Sequence, residues 1–190
     1  MIRGYTGAMT NGTTLFSAAL AVLGLLPASI SSAGIDHATW PAIDIDPLIK
    51  ENLARAYKAA DDPNGGPEVA AAFTPDGSFI DLGKTFTGRE VISNAITTAF
   101  SSGFSEQRHT IYAVFADQSP GLELMLRGNA KVCADEPFRF LGMAATETRS
   151  KVKMDNGSTL EGDFVAWAVI DKASYEAGDP KMSLLHVFSA

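Results

Sequence analysis

Between Asp46 and Ser102 the hydrophobic pattern changes from helical to strand-like and back again. No other feature of the chain limits its fold so strongly. Asp46-Pro47 opens a helix, with a carboxylate at the N-cap and a proline in the first turn, where its missing N–H is not needed. Leu48, Ile49, Leu53, Ala56, Tyr57 and Ala60 then recur at helical spacing. The run Asp61-Asp62-Pro63-Asn64-Gly65-Gly66-Pro67 stops the helix. A short helix over Glu68–Phe73 is expected next, then a Pro75-Asp76-Gly77 turn. Two short strands follow, Ser78–Leu82 and Lys84–Thr87, joined tightly at Gly83. Thr87-Gly88-Arg89-Glu90 leads into a third helix, Arg89–Ser102, whose apolar stripe is Val91, Ile92, Ala95, Ile96, Ala99 and Phe100.

Beyond Ser102 the chain reads as mostly β. Gln107–Ala116 and Leu122–Val132 are long strands separated by Asp117-Gln118-Ser119-Pro120-Gly121. Lys151–Met154 and Thr159–Asp171 flank Asp155-Asn156-Gly157-Ser158, and Asn-Gly is a strong hairpin signal. Ser183–Ser189 forms the last strand. Three helices in the N-terminal half, packed on a strongly bent antiparallel sheet that encloses a pocket, make an α+β fold. Residues 133–150 interrupt this pattern and read either as an insertion, such as a flap over the pocket, or as an unspliced intron.

The first 33 residues form a segment apart. Arg3 is their only charge, Leu15–Ala28 is nearly all apolar, and Ser31-Ser32-Ala33 places small residues where a signal peptidase reads. The apolar run is shorter than the roughly 20 residues a membrane span needs. Residues 1–33 are therefore expected to be a cleavable secretory signal, and the protein to be secreted or to reside in an endomembrane lumen. An apolar helix that docks on the domain or anchors it is the alternative. Residues 34–45 read as an extended entry segment and 46–190 as the domain. In a secreted chain Asn156-Gly157-Ser158 is a glycosylation sequon, whereas Asn11-Gly12-Thr13 would leave with the signal.

A net charge of −7 without a Lys/Arg-rich run argues against nucleic acid as a partner and against an anionic membrane surface. Cys133 is the only cysteine, which excludes a disulfide scaffold and leaves stability to the core. It reads as a small buried hydrophobe. His37, His109 and His186 are too scattered to suggest a metal site. Phosphate-loop, dinucleotide, nucleophile-elbow and zinc-protease motifs do not occur, so no cofactor is expected.

From Asp46 to Ala190 the plan resembles the NTF2-like, or SnoaL-like, α+β cone. The best local match is to ketosteroid isomerase, through Arg55-Ala56-Tyr57-Lys58-Ala59-Ala60 and Phe73-Thr74-Pro75-Asp76-Gly77-Ser78-Phe79-Ile80-Asp81. The resemblance implies Tyr57 as an oxyanion-stabilising donor and Asp81 as a proton shuttle. It also implies Asp163, in Gly162-Asp163-Phe164, as a second acid on a late strand. His109 stands where many SnoaL-like proteins, including scytalone dehydratase-type enzymes, carry a pocket histidine. Each residue also has a plainer reading. Asp81 could cap a turn or pair with Arg89, Tyr57 could be a core tyrosine, and Asp163 an exposed carboxylate. His109 could be a core histidine, and for His186 that structural role is the favoured one. An Asp81–Arg127–Asp163 relay of the limonene-epoxide-hydrolase kind is open on the same fold.

The side chains expected to line the pocket are Phe79, Ile111, Phe115, Arg127, Trp167, His186 and Phe188. A carboxylate desolvated by such walls becomes a stronger base near neutral pH. The expected function is cofactor-free acid–base chemistry, as a cyclase, isomerase or dehydratase acting on a hydrophobic polyketide or terpenoid. A non-catalytic module that binds a small apolar ligand is the alternative. NTF2-like chains commonly pair through the exposed sheet face, so the resemblance implies a homodimer under either reading.

Overall fold

The computed structural model describes residues 34–101, 104–134, 153–154 and 158–189. The chain divides into two units, Met1–Ser31 and Ser32–Ala190, and every described residue belongs to the second. The helices are α1 (Pro47–Ala60), α2 (Gly66–Ala71), α3 (Arg89–Ser101) and α4 (Lys172–Glu176). The strands are β1 (Phe73–Asp81), β2 (Lys84–Thr87), β3 (Phe104–Phe115), β4 (Glu123–Ala134), β5 (Lys153–Met154), β6 (Ser158–Ile170) and β7 (Met182–Ser189). α1 starts as its cap residue dictates: the Asp46 carboxylate accepts from the Leu48 N–H at 2.8 Å. The helix buries Ile49, Asn52, Leu53, Ala56, Tyr57 and Ala59.

The sheet runs β2-β1-β7-β6-β4-β3, with β5 paired to β6. It is mixed, because β1 and β7 pair in parallel while the other pairs are antiparallel. The expectation of a wholly antiparallel sheet fails at this one junction. β7 returns from the far half of the chain and fits between β1 and β6. Nothing local to either strand could have announced that pairing.

Three other local expectations change. The second helix runs over Gly66–Ala71 and ends before Phe73. Pro75-Asp76-Gly77 is not a free turn but an irregular part of β1, whose register against β7 shifts between Phe73 and Ser78. The one-turn helix α4, capped by the Asp171 carboxylate on the Ser174 N–H, was not expected. The interrupting stretch begins later than the sequence suggests: Cys133 and Ala134 still belong to β4, opposite Thr159 and Ser158. Residues 135–152, and Asn156 with its sequon, lie outside the described residues.

Alternation assigns each strand residue to one of the two faces. On β6, Phe164, Ala166, Ala168 and Ile170 are buried. They join Leu124 and Leu126 of β4, Ile111 and Val114 of β3, and the buried stripe of α1 in a single core. The intervening residues of β6 face away from the helices. Register places Phe115, Met125, Trp167 and His186 side by side across that outer face, with Val165 next to Phe188.

β3 ends the sheet, so its outer edge would leave backbone groups unpaired. The entry segment covers that edge. The Gly34 N–H donates to His109 O at 3.1 Å, and Ile111 N–H donates to Gly34 O at 2.7 Å. Further along, Thr39 N–H donates to Tyr112 O and Val114 N–H to Thr39 O, each at 2.9 Å.

β1 and β2 are joined by the two-residue turn Leu82-Gly83, with Asp81 opposite Lys84. Both turn residues have positive φ, 49° at Leu82 and 72° at Gly83. This is the primed hairpin geometry that favours Asn-Gly. Leucine at such a φ is strained by about 1 kcal/mol, and its side chain is exposed. Leu82→Asn should therefore raise stability by about 1 kcal/mol in urea unfolding.

Candidate functional site

The C-cap of α1 and the middle of β3 meet at one carboxylate. Asp61 accepts the His109 backbone N–H on both oxygens, at 3.0 and 3.1 Å. The same carboxylate lies 2.7 Å from His109 Nδ1, and both side chains are largely buried. An ionised carboxylate only accepts, so Nδ1 carries the proton of this contact. Nε2 of the neutral ring is then left with its lone pair, 3.5 Å from the Gln107 side-chain amide. An Asp–His pair of this kind fixes the tautomer and orientation of the ring.

One helical turn before Asp61, Tyr57 points inward from α1. Its ring meets His109 edge-on, with centroids 5.6 Å apart, and stacks on Phe164 at 6.4 Å. His109 and Phe164 are themselves edge-to-face at 6.0 Å. Gly128 of β4 makes room for this cluster, since a Cβ there would come within 3.0 Å of Phe164 Cζ. The Tyr57 hydroxyl is buried and has no hydrogen-bond partner among the described residues. Leaving such a group unpaired costs about 1–3 kcal/mol. Burial, reinforced by the negative charge of Asp81, pushes the phenol far above its ordinary range. It is a proton donor in hydrogen bonds that does not ionise near neutrality.

Asp81 closes the third side. It lies at the end of β1, on the same face as Phe79 by alternation, and Phe79 packs against the core and stacks on Phe86. Its carboxyl is raised above the usual range mainly by burial, against a backbone hydrogen bond from Leu82 and the positive charge that His109 carries in its protonated form. Asp81 thus interacts electrostatically with both Tyr57 and His109. Arg89, the alternative partner for Asp81, instead donates to Phe73 O at 2.8 Å.

Other candidates lie elsewhere. Phe164 takes the inner position on β6, so parity sends Asp163 to the outer face, where its carboxylate accepts from Asn129 Nδ2 at 3.1 Å. Asp163 is therefore withdrawn as the second acid. Arg127, Trp167 and His186 alternate with inward residues of β4, β6 and β7, so they too line the outer face. Phe115 and Phe188 are 56% and 43% exposed, and Phe188 packs on His186 with ring centroids 3.8 Å apart. None of these five walls the cone, and the Asp81–Arg127–Asp163 relay is split across the sheet. Ile111 is on the inner face.

Asp61 was missed because in the sequence it is the first of several helix-stopping residues. The available signal was its position one turn after Tyr57, on the same face of α1. Among the described residues, no helix is long and apolar enough to cross a membrane.

No protein-family model matches the sequence, and no curated protein matches it. Solved structures do resemble the fold. A protein from Shewanella denitrificans classed as a SnoaL-like polyketide cyclase aligns with TM-score 0.54 at 12% identity, over 76% of this chain and 92% of that one. A Catenulispora acidiphila protein with a ketosteroid isomerase-like fold, in complex with trimethylamine, aligns with TM-score 0.51 at 13% identity, over 73% and 84%. Nuclear transport factor 2 of Cryptosporidium parvum aligns with TM-score 0.50 at 14% identity, over 78% and 100%. The chain has the NTF2-like cone fold, in the form also seen in SnoaL-like and ketosteroid isomerase-like proteins.

The raised Asp81 carboxyl makes a prediction with a definite sign. A carboxyl whose folded pKa lies above its unfolded value destabilises the fold once the pH is high enough to ionise it in both states. Below about pH 4 it is protonated in both states and has no effect. Asp81→Asn should therefore be more stable than the parent at pH 7, and the advantage should disappear on acidification through that window. Urea midpoints measured from pH 3 to 7 test this.

Proposed function

We propose that this protein is a small cofactor-independent enzyme that moves protons on a hydrophobic metabolite such as a polyketide or terpenoid. The observation that carries the reading is the buried Tyr57 hydroxyl, unpartnered among the described residues, beside the Asp61-held His109 ring and within the field of Asp81. In this reading His109 Nε2 removes a proton from a carbon next to a carbonyl. Tyr57 donates a hydrogen bond to the oxyanion that forms, where a fixed donor in a dry site is most effective. Asp81, whose raised pKa lets it hold a proton nearer neutrality, returns one to the substrate. Protonating a different carbon gives isomerisation or ring closure, and protonating a departing hydroxyl releases water. Phe79, Ile111 and Phe164 would supply apolar contact.

Deuterium uptake at carbon tests this directly. The protein is incubated in heavy water with a panel of apolar ketones, and exchange is followed by mass spectrometry. A reactive ketone should exchange about 10²–10⁴-fold more slowly with His109→Gln, and Tyr57→Phe should also be slower. Ligand-induced thermal stabilisation with no exchange beyond the uncatalysed rate would replace the enzyme with a binding module.

We further propose that the protein is a homodimer joined through the outer sheet face. Phe115, Met125 and Phe188 are exposed there beside Trp167, an apolar row of the kind that marks an interaction face. A Trp167→Glu variant should sediment as a monomer while the parent sediments as a dimer. A monomeric parent would end the proposal.

A further inference from the structure

We infer that removal of the leader after Ala33 supplies a working group to the site: the new α-ammonium of Gly34 becomes a third donor to the Asp61 carboxylate. The inference rests on residues 1–33 being a secretory leader and on Asp61–His109 being the working pair.

Three observations carry it. First, Gly34 is held in place on the edge of β3, with its N–H 3.1 Å from His109 O and its carbonyl accepting from Ile111 N–H at 2.7 Å. Its φ is 95°, and a Cβ on this residue would lie 3.2 Å from Tyr57 Cβ, so the position suits only glycine. Second, the N–H and C=O of one strand residue project from the same edge. For His109 these two groups are taken by Asp61 and by Gly34 N, so the carboxylate and that nitrogen are neighbours along one edge. Third, the proton count changes on cleavage. An amide nitrogen has one hydrogen, already committed to His109 O. An ammonium has three, and two remain for the carboxylate, which has lone-pair sites to spare. The ordinary α-amino pKa is about 7.7–8.0; at this buried residue desolvation disfavours the ammonium and the neighbouring Asp61 carboxylate favours it.

Cleavage therefore turns a neutral strap into a charged clamp. The ammonium holds the Asp61 carboxylate in position, and Asp61 in turn holds the His109 ring. Gly34 acts as a positioning residue and does not touch the substrate. A leader still attached would keep the backbone pairing but leave Asp61 without this partner.

The test uses protein that begins at Gly34, released from a fusion without extra residues, with and without Nα-acetylation, in the parent and in Asp61→Asn. Acylation of the α-amine by a water-soluble ester at neutral pH should be at least about tenfold slower in the parent than in Asp61→Asn. Equal rates overturn the inference. Nα-acetylation should lower the parent Tm by about 2–6 °C and leave that of Asp61→Asn unchanged. Equal losses in both backgrounds, or no loss in the parent, overturn it even where the variant folds poorly. N-terminal sequencing of the protein from a secreting host should read Gly34 first, and any other start overturns the processing step. None of these readouts requires turnover, so they stand or fall apart from the catalytic proposal.

Discussion

The Asp61 carboxylate ties together the three parts of this molecule that matter most. The Asp61 backbone ends α1, while its carboxylate takes up the His109 N–H on the edge of β3 and holds the His109 ring through Nδ1. Because the contact is largely buried, solvent screens it poorly and its geometry is well defined. Tyr57 inherits its place from the same junction, since it lies one turn back on the helix that Asp61 ends. Moving this carboxylate would disturb a sheet edge and a candidate base together.

The sheet divides the remaining chemistry by parity alone. A one-residue difference decides whether a side chain faces the helices or solvent. Phe164 takes the inward position on β6, and its neighbour Asp163 is consequently outward and paired with Asn129. The same count sends Arg127, Trp167 and His186 out and keeps Leu126, Ala166 and Leu185 in. The inner face therefore combines an apolar lining with a few polar groups, and the outer face carries exposed Phe115, Met125 and Phe188.

Much of the fold was legible because local signals agreed with one another. The Asp46-Pro47 cap and most of the α1 stripe follow from short-range chemistry and appear where the residues indicate, the turn at Gly83 takes in Leu82 as well, and of the α3 stripe Ile92 is buried while Val91 is exposed. Tyr57, Asp81 and His109 could be named because the order of helix, strand end and long strand resembles a known plan in which those positions carry such residues. What was not legible is what depends on long-range geometry. Asp163 and the outer aromatics were candidates because a strand pattern shows two faces without saying which is buried. Asp61 was hidden because a helix-stopping aspartate looks the same whether it faces water or a histidine 48 positions away. Pro75-Asp76-Gly77 has turn chemistry, yet β7 recruits it into a strand.

The place of β7 has a kinetic consequence. It is the last strand in the sequence but lies in the middle of the sheet, between β1 and β6. Until it docks, β2 and β1 form one fragment and β6, β4 and β3 another, with no strand to bridge them. Asp81 belongs to the first fragment and His109 to the second. Asp81 therefore joins the Tyr57–Asp61–His109 group only after a contact of very high sequence separation has formed, the kind that slows folding. Both halves would meanwhile expose unpaired strand edges, and the docking of β7 ends that exposure.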